Sequence, residues 1–180
     1  ERHGTALADT YARMTTSAPY RPDAQSVGRR ALKNACLDFL AVTARDDAIA
    51  RAEAQYRNAD NMTDRMAALD TLSRHDRPER AAALDDFYNR YAGDPLIIDK
   101  WLALQAAIPE GGTLDRVRAL TTPRAFSIAH PNRVRALIGA FAQATHPQFN
   151  RPDGAGYDFV ADVLVALDPK NPQVAARLMG

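Results

Sequence analysis

Helix start signals recur down this chain at intervals that leave room only for a series of short helices. Asn61 is followed three residues later by Asp64, and Asp76 by Glu79, so each pair can serve free backbone amides at a helix entrance. Asp94-Pro95 sets a capping residue before a first-turn proline, and Pro131 and Pro172 occupy the same kind of position. Between these signals apolar residues return every three to four positions. The spacing predicts helices over 5–16, 26–44 and 47–58, helices opening at Asn61, Asp76 and Asp94, and shorter ones over 114–121, 131–143, 157–168 and 172–179. No segment alternates in the manner of a strand.

Each predicted helix carries a candidate inner face. Leu32, Cys36, Phe39 and Thr43 form it in the second, and Ile49, Ala52 and Tyr56 in the third. "PLIIDKWLALQAAI" (95–108) is apolar over a wide arc and is expected to be packed on two sides. Trp101 within it reads as a core anchor between helix layers rather than a platform for a ligand. Short helices with well-capped turns bury their faces against one another. Helix pairs recur at roughly 30–40 residues, so the expected class is all-α: stacked antiparallel helix pairs in an α-solenoid of HEAT or armadillo type. A compact irregular bundle is the alternative. The expected organisation is one helical-repeat domain over residues 1–180.

Charge and cysteine content narrow the function classes. The net charge is +1, and acidic and basic residues are interspersed, which argues against a nucleic-acid surface. The single cysteine, Cys36, excludes a disulfide framework and reads as a core residue. No apolar run is long enough for a membrane span and no signal peptide is visible, although in a piece of a longer protein a missing signal says little; the expected compartment is the cytoplasm. The chain begins at Glu1 in mid-pattern, so it is expected to be a piece of a larger protein.

Catalytic groups are not assembled in the sequence. The four histidines, His3, His75, His130 and His146, fall in no His-Glu-x-x-His and in no zinc-ligand spacing. "DGAGYDF" (153–159) lacks the lysine and spacing of a phosphate loop and reads as a turn into a helix. No serine has a histidine and an acid near it in sequence. Taken alone, the residues describe an interaction or structural module.

Several stretches are more specific than generic helix: "RRALKNACLDFLA" (29–41), "ADNMTDRMAAL" (59–69), "IDKWLALQA" (98–106), "HPNRVRALIGAFA" (130–142), "DGAGYDF" (153–159) and "NPQVAARL" (171–178). In this order they resemble the C-terminal helical-repeat domain of bacterial aminopeptidase N, a zinc-dependent metallopeptidase family. The resemblance covers nearly the whole chain and is weakest over the first twenty residues and 74–93. It implies a non-catalytic domain that encloses the active-site cavity, whose partners are the catalytic domain of the same chain and peptide substrates. The family's zinc ligands and its Gly-x-Met-Glu-Asn motif belong to that catalytic domain. None of them is present here, so zinc is implied for the parent enzyme and not for this chain. Arginines of the family's helical domain line the peptide's route. At matching positions these are Arg135, the second arginine of "NRVR", and Arg177 of "VAARL".

The helix over 131–143 carries two local penalties, arginines in its first turns and Gly139 in its middle. Val134, Leu137, Ile138 and Phe141 define its stripe. At about 100° per residue, Arg133 lies about 90° to one side of the stripe and Arg135 about 110° to the other. The two therefore cannot point at the same feature. The resemblance implies that Arg135 faces the cavity, which leaves Arg133 on the surface, and Gly139 reads as a close helix–helix approach. Two function classes stay open: a non-catalytic domain of a zinc aminopeptidase, and a free-standing helical scaffold for a protein partner.

Overall fold

A computed structural model describes residues 3–122 and 125–179, and no strand occurs among them. The helices are α1 (Gly4–Met14), α2 (Ala24–Ala41), α3 (Asp46–Asn58), α4 (Met62–Ser73), α5 (Pro78–Tyr91), α6 (Pro95–Ala106) and α7 (Thr113–Leu120). They continue as α8 (Pro131–Val134), a π-helical turn (Arg135–Gly139), α9 (Ala140–Ala144), α10 (His146–Phe149), α11 (Ala155–Leu167) and α12 (Pro172–Met179). The chain divides into two units, Glu1–Asp85 and Asp86–Gly180, with the division inside α5.

Local chemistry sets the helix boundaries. The Asn61 side chain accepts the backbone N–H of Asp64 at 2.9 Å and starts α4. Asp94 accepts from Leu96 and Ile97 at 3.0 and 3.2 Å, with Pro95 at the first helical position of α6. Asp23 does the same for α2 through Ser26, at 2.9 Å. Each cap satisfies amides that would otherwise have no partner inside the helix.

In the first unit α1 packs on α2, α3 packs on α4, and α2 lies against both α3 and α4. Short connections leave sequence neighbours antiparallel. Ile49, Ala52 and Tyr56 are buried in α3, as their spacing predicts. Helix α2 departs from its predicted face. Its buried residues are Lys33, Cys36, Leu37 and Ala41, while Leu32 and Phe39 are 48% and 65% exposed. The inner face is rotated by about one residue because Lys33 goes inside, where it finds an acidic partner.

In the second unit α6 is the central element and packs on α7, α8, the π turn and α9. Ile98, Trp101, Leu102 and Leu104 are all buried, which matches an apolar arc covered on two sides. Tyr88 lies 5.0 Å from the Trp101 ring, centroid to centroid, so Trp101 is a core anchor. Val134, Leu137, Ile138 and Phe141 are fully buried. The rings of Phe149 and Phe159 meet Phe141 edge-on at 6.1 and 5.9 Å.

Candidate functional site

The segment that carries Arg133 and Arg135 is not a straight α-helix. Pro131 opens α8, and after Val134 the backbone widens into the π turn Arg135–Gly139 before α9 resumes. Bonds of the i→i+5 kind replace i→i+4 there, and such turns are frequent at functional sites. A wheel drawn at a constant angle per residue does not apply across these residues. No residue type marks a π turn, so the sequence carries no signal for it.

The structure separates the two arginines, with one correction. Arg133, expected on the surface, is only 15% exposed in its side chain. It donates to Asp99 Oδ1 at 2.8 Å and to the Pro95 carbonyl at 3.2 Å, which fastens α8 to α6. Its partner lies 34 residues away, beyond the reach of a single-helix reading. Arg135 is exposed and donates only to Asn132 Oδ1, at 3.0 Å. Arg177 is exposed on α12. Neither Arg135 nor Arg177 makes an ion pair among the described residues.

Gly139 links their two elements. It is buried, and a methyl group added to it would lie 3.5 Å from Leu178 Cδ2, next in sequence to Arg177. That is ordinary van der Waals contact, so Leu178 of α12 approaches the π turn without requiring glycine there. The true close approach is at Gly156 of α11, where an added Cβ would lie 2.2 Å from the Phe149 carbonyl oxygen. Gly154 just before it has φ +75°, a left-handed turn that glycine adopts without strain. Asp153 completes the turn by accepting from the Ala155 N–H at 3.1 Å and from Arg151 Nη2 at 2.6 Å. Those two donors hold its carboxyl down to about 2. "DGAGYDF" is thus a packing turn, as its composition suggests.

A buried polar network in the first unit is not legible in the sequence. Lys33 Nζ lies 2.6 Å from Asp64 Oδ2, with 11% and 8% of the two side chains exposed. Asn34 and Asn61 donate to the same carboxylate at 3.0 and 3.1 Å. Gln55 donates to Asn34 Oδ1 and to the Asp64 carbonyl, and Tyr11 donates to Gln55 at 3.0 Å. Burial pushes the Asp64 carboxyl up, but the donors Lys33, Asn61 and Asn34 outweigh it and the net shift is downward. Burial raises the Tyr11 hydroxyl. The network joins α1, α2, α3 and α4. Its donors and acceptors are spent on one another, as in a structural clamp.

No three His, Cys, Asp or Glu side chains come together among the described residues. His3, His130 and His146 are exposed and apart in the sequence, and burial together with Arg77 and Arg74 lowers His75. No described helix is long and apolar enough to cross a membrane.

Comparisons with known proteins agree with this architecture. Residues 1–180 match the family described as domain of unknown function (DUF3458_C) ARM repeats. Aminopeptidase N of Escherichia coli K12 is 39% identical over 160 residues, which cover 89% of this chain and 18% of that protein. Aminopeptidase N of Caulobacter vibrioides is 37% identical over 98% of this chain and 20% of its own length. The crystal structure of Legionella pneumophila aminopeptidase A in complex with aspartic acid superposes with a TM-score of 0.88 at 28% identity, over 98% of this chain and 22% of that one. The chain therefore spans about a fifth of the length of the relatives it matches. With helices throughout and this match over its whole length, the chain belongs to the DUF3458_C ARM-repeat family, the C-terminal helical-repeat domain of bacterial aminopeptidase N.

Proposed function

We propose that this chain is one non-catalytic helical-repeat domain of a longer zinc-dependent aminopeptidase, that it encloses the peptide cavity, and that Arg135 and Arg177 hold the peptide's C-terminal carboxylate. The observation that carries the reading is the division of labour among the arginines. Arg133 is committed to Asp99, whereas Arg135 and Arg177 are exposed and outside any ion pair among the described residues, on elements that approach each other at Gly139 and Leu178. A guanidinium offers two parallel N–H donors that match a carboxylate, and a charge-assisted pair of this kind is stronger than a neutral hydrogen bond.

The chemistry assigned to this domain is positioning. A peptide held by its amino end on the rest of the longer chain extends its carboxylate away from the reacting bond. Arginines on the enclosing wall would bind that carboxylate and orient the peptide. Zinc, its ligands and the general base would belong to the catalytic domain of the same chain, because the described residues do not fit a metal. The compartment that goes with this reading is the cytoplasm.

Two experiments test the assignment. The longer reading frame around residues 1–180 is expected to encode a His-Glu-x-x-His, and its product to release N-terminal amino acids until a chelator removes the metal. A frame without that motif favours the free-standing scaffold. Residues 1–180, repurified after chelator treatment, are expected to leave an aminoacyl chromogenic substrate uncut; cleavage would sink both readings.

A further inference from the structure

The outward face of α2 is apolar over its whole length. Gly28, Ala31, Leu32, Ala35, Phe39 and Val42 fall within about 100° of the helix wheel and extend for about 20 Å. All six are exposed, Phe39 at 65% and Val42 at 73%. No charged residue falls inside that arc; Asp38 sits at its edge and is paired with Arg74 at 3.2 Å. The helix buries its opposite side through Cys36, Leu37 and Ala41, so the outward face is not needed by the first unit's own core. Isolated exposed apolar residues are ordinary, but a contiguous face of this length marks an interaction site.

The face runs into a cleft of about 880 Å³ at its C-terminal end, between α1, the end of α2 and the start of α3. Phe39 and Val42 line it together with Leu7 and Leu40. The cations on its wall are engaged. Arg45 is paired with Asp47 at 3.0 Å, and Arg51 lies 5.1 Å over the Tyr11 ring. A charged ligand would have to displace these contacts, whereas an apolar side chain entering beside Phe39 would not.

We infer that the outward face of α2 and its cleft form the docking surface for an apolar helix belonging to the same polypeptide outside residues 1–180. The inference rests on the reading of this chain as one domain of a longer aminopeptidase. Its relatives leave about four fifths of their own length outside the matched region, since the match covers 18–20% of them. In a helical-repeat array an end face that meets water is polar, and a face that meets a neighbouring repeat is apolar. The small residues Gly28, Ala31 and Ala35, beside Leu32 and N-terminal to Phe39 and Val42, let a helix lie close along this face by its apolar side.

Single cysteines placed in the full-length polypeptide test this. Phe39→Cys, Val42→Cys and the control Arg57→Cys all lie at positions exposed here, the Arg57 side chain at 69%. Maleimide labelling is followed site by site by mass spectrometry. Positions 39 and 42 are expected to react about tenfold or more slowly than position 57, at a rate independent of protein concentration, and to match it in urea. Equal rates in the native polypeptide overturn the inference. Protection that disappears on dilution also overturns it, because the occupant is then a second copy. An active peptidase with unprotected positions defeats this surface alone. A polypeptide with protected positions and no peptidase activity keeps the surface and defeats the functional reading beneath it.

Discussion

Lys33 and Asp64, 31 positions apart in sequence, meet inside the first unit with Nζ 2.6 Å from Oδ2. The pair joins α2 to α4 where both side chains are nearly dry. Removing one member of a buried pair leaves the other charge uncompensated and costs about 3–5 kcal/mol. Lys33→Met is therefore expected to lower the urea midpoint of the first unit sharply. Lys33→Met combined with Asp64→Leu is expected to recover most of the loss, because no lone charge remains. Urea titrations of the single and double variants check this, and an undisturbed midpoint in the single variant counts against the clamp.

The same pair makes the fold acid-sensitive. The Asp64 carboxyl is held below its ordinary range, so the folded state binds a proton there less readily than the unfolded chain. Its contribution is present above the ordinary carboxylate pKa of about 3.9 and is lost as pH falls through the lower folded value. His75 is also depressed, by burial and by Arg77 and Arg74. Its contribution is complete above the ordinary histidine pKa of about 6.5 and declines as pH falls below that. Melting temperature against pH should thus show a shallow decline beginning below about 6.5 and a second one in strong acid. His75→Gln should abolish the first, and Asp64→Asn should reduce the second, to which Asp153 also contributes.

Two glycines give opposite outcomes. A Cβ added to Gly139 would lie 3.5 Å from Leu178 Cδ2, and the dihedrals there are ordinary helical ones, so Gly139→Ala is expected to be neutral or to stabilise by up to about 1 kcal/mol. A Cβ added to Gly156 would collide with the Phe149 backbone, and backbone cannot move aside as a flexible side chain can. Gly156→Ala should cost about 1–3 kcal/mol and part α10 from α11. Thermal melts of the two variants separate these cases.

Arg133 and Arg135 are expected to fail in different ways. Arg133→Ala removes a part-buried ion pair and a bond to the Pro95 carbonyl, so it should lower stability by about 1–3 kcal/mol. Arg135→Ala loses only an exposed bond to Asn132 and should leave the stability within about 0.5 kcal/mol of the parent. Calorimetry on both variants reads the contrast directly.

What could be read from the residues follows physical range. Helix positions were legible because caps and stripes act within a few residues, as at Asn61–Asp64 and Asp94–Pro95. The wide apolar arc of α6 announced a central helix for the same reason. The inner face of α2 was not legible, because an apolar wheel selects Leu32 and Phe39 while Lys33 is drawn inside by Asp64 of another helix. Asp64 was visible only as a capping partner of Asn61, and its second role depends on long-range packing. Arg133 was misplaced for a parallel reason, since Asp99 reaches it from α6. The π turn has no residue signature at all. Arg135 and Arg177 were picked out by motif resemblance, and periodicity alone would have left them as ordinary surface charges.

The central claim is that Arg135 and Arg177 grip a peptide carboxylate, and the most direct measurement is kcat/KM of the full-length polypeptide on two kinds of substrate. A short peptide carries a free carboxylate, and an aminoacyl anilide does not. Arg135→Ala, and more strongly Arg135→Ala with Arg177→Ala, is expected to lower kcat/KM for the peptide by about tenfold, or about 1.4 kcal/mol, and to leave the anilide nearly unchanged. Equal losses on both substrates, or none on the peptide, would contradict the account.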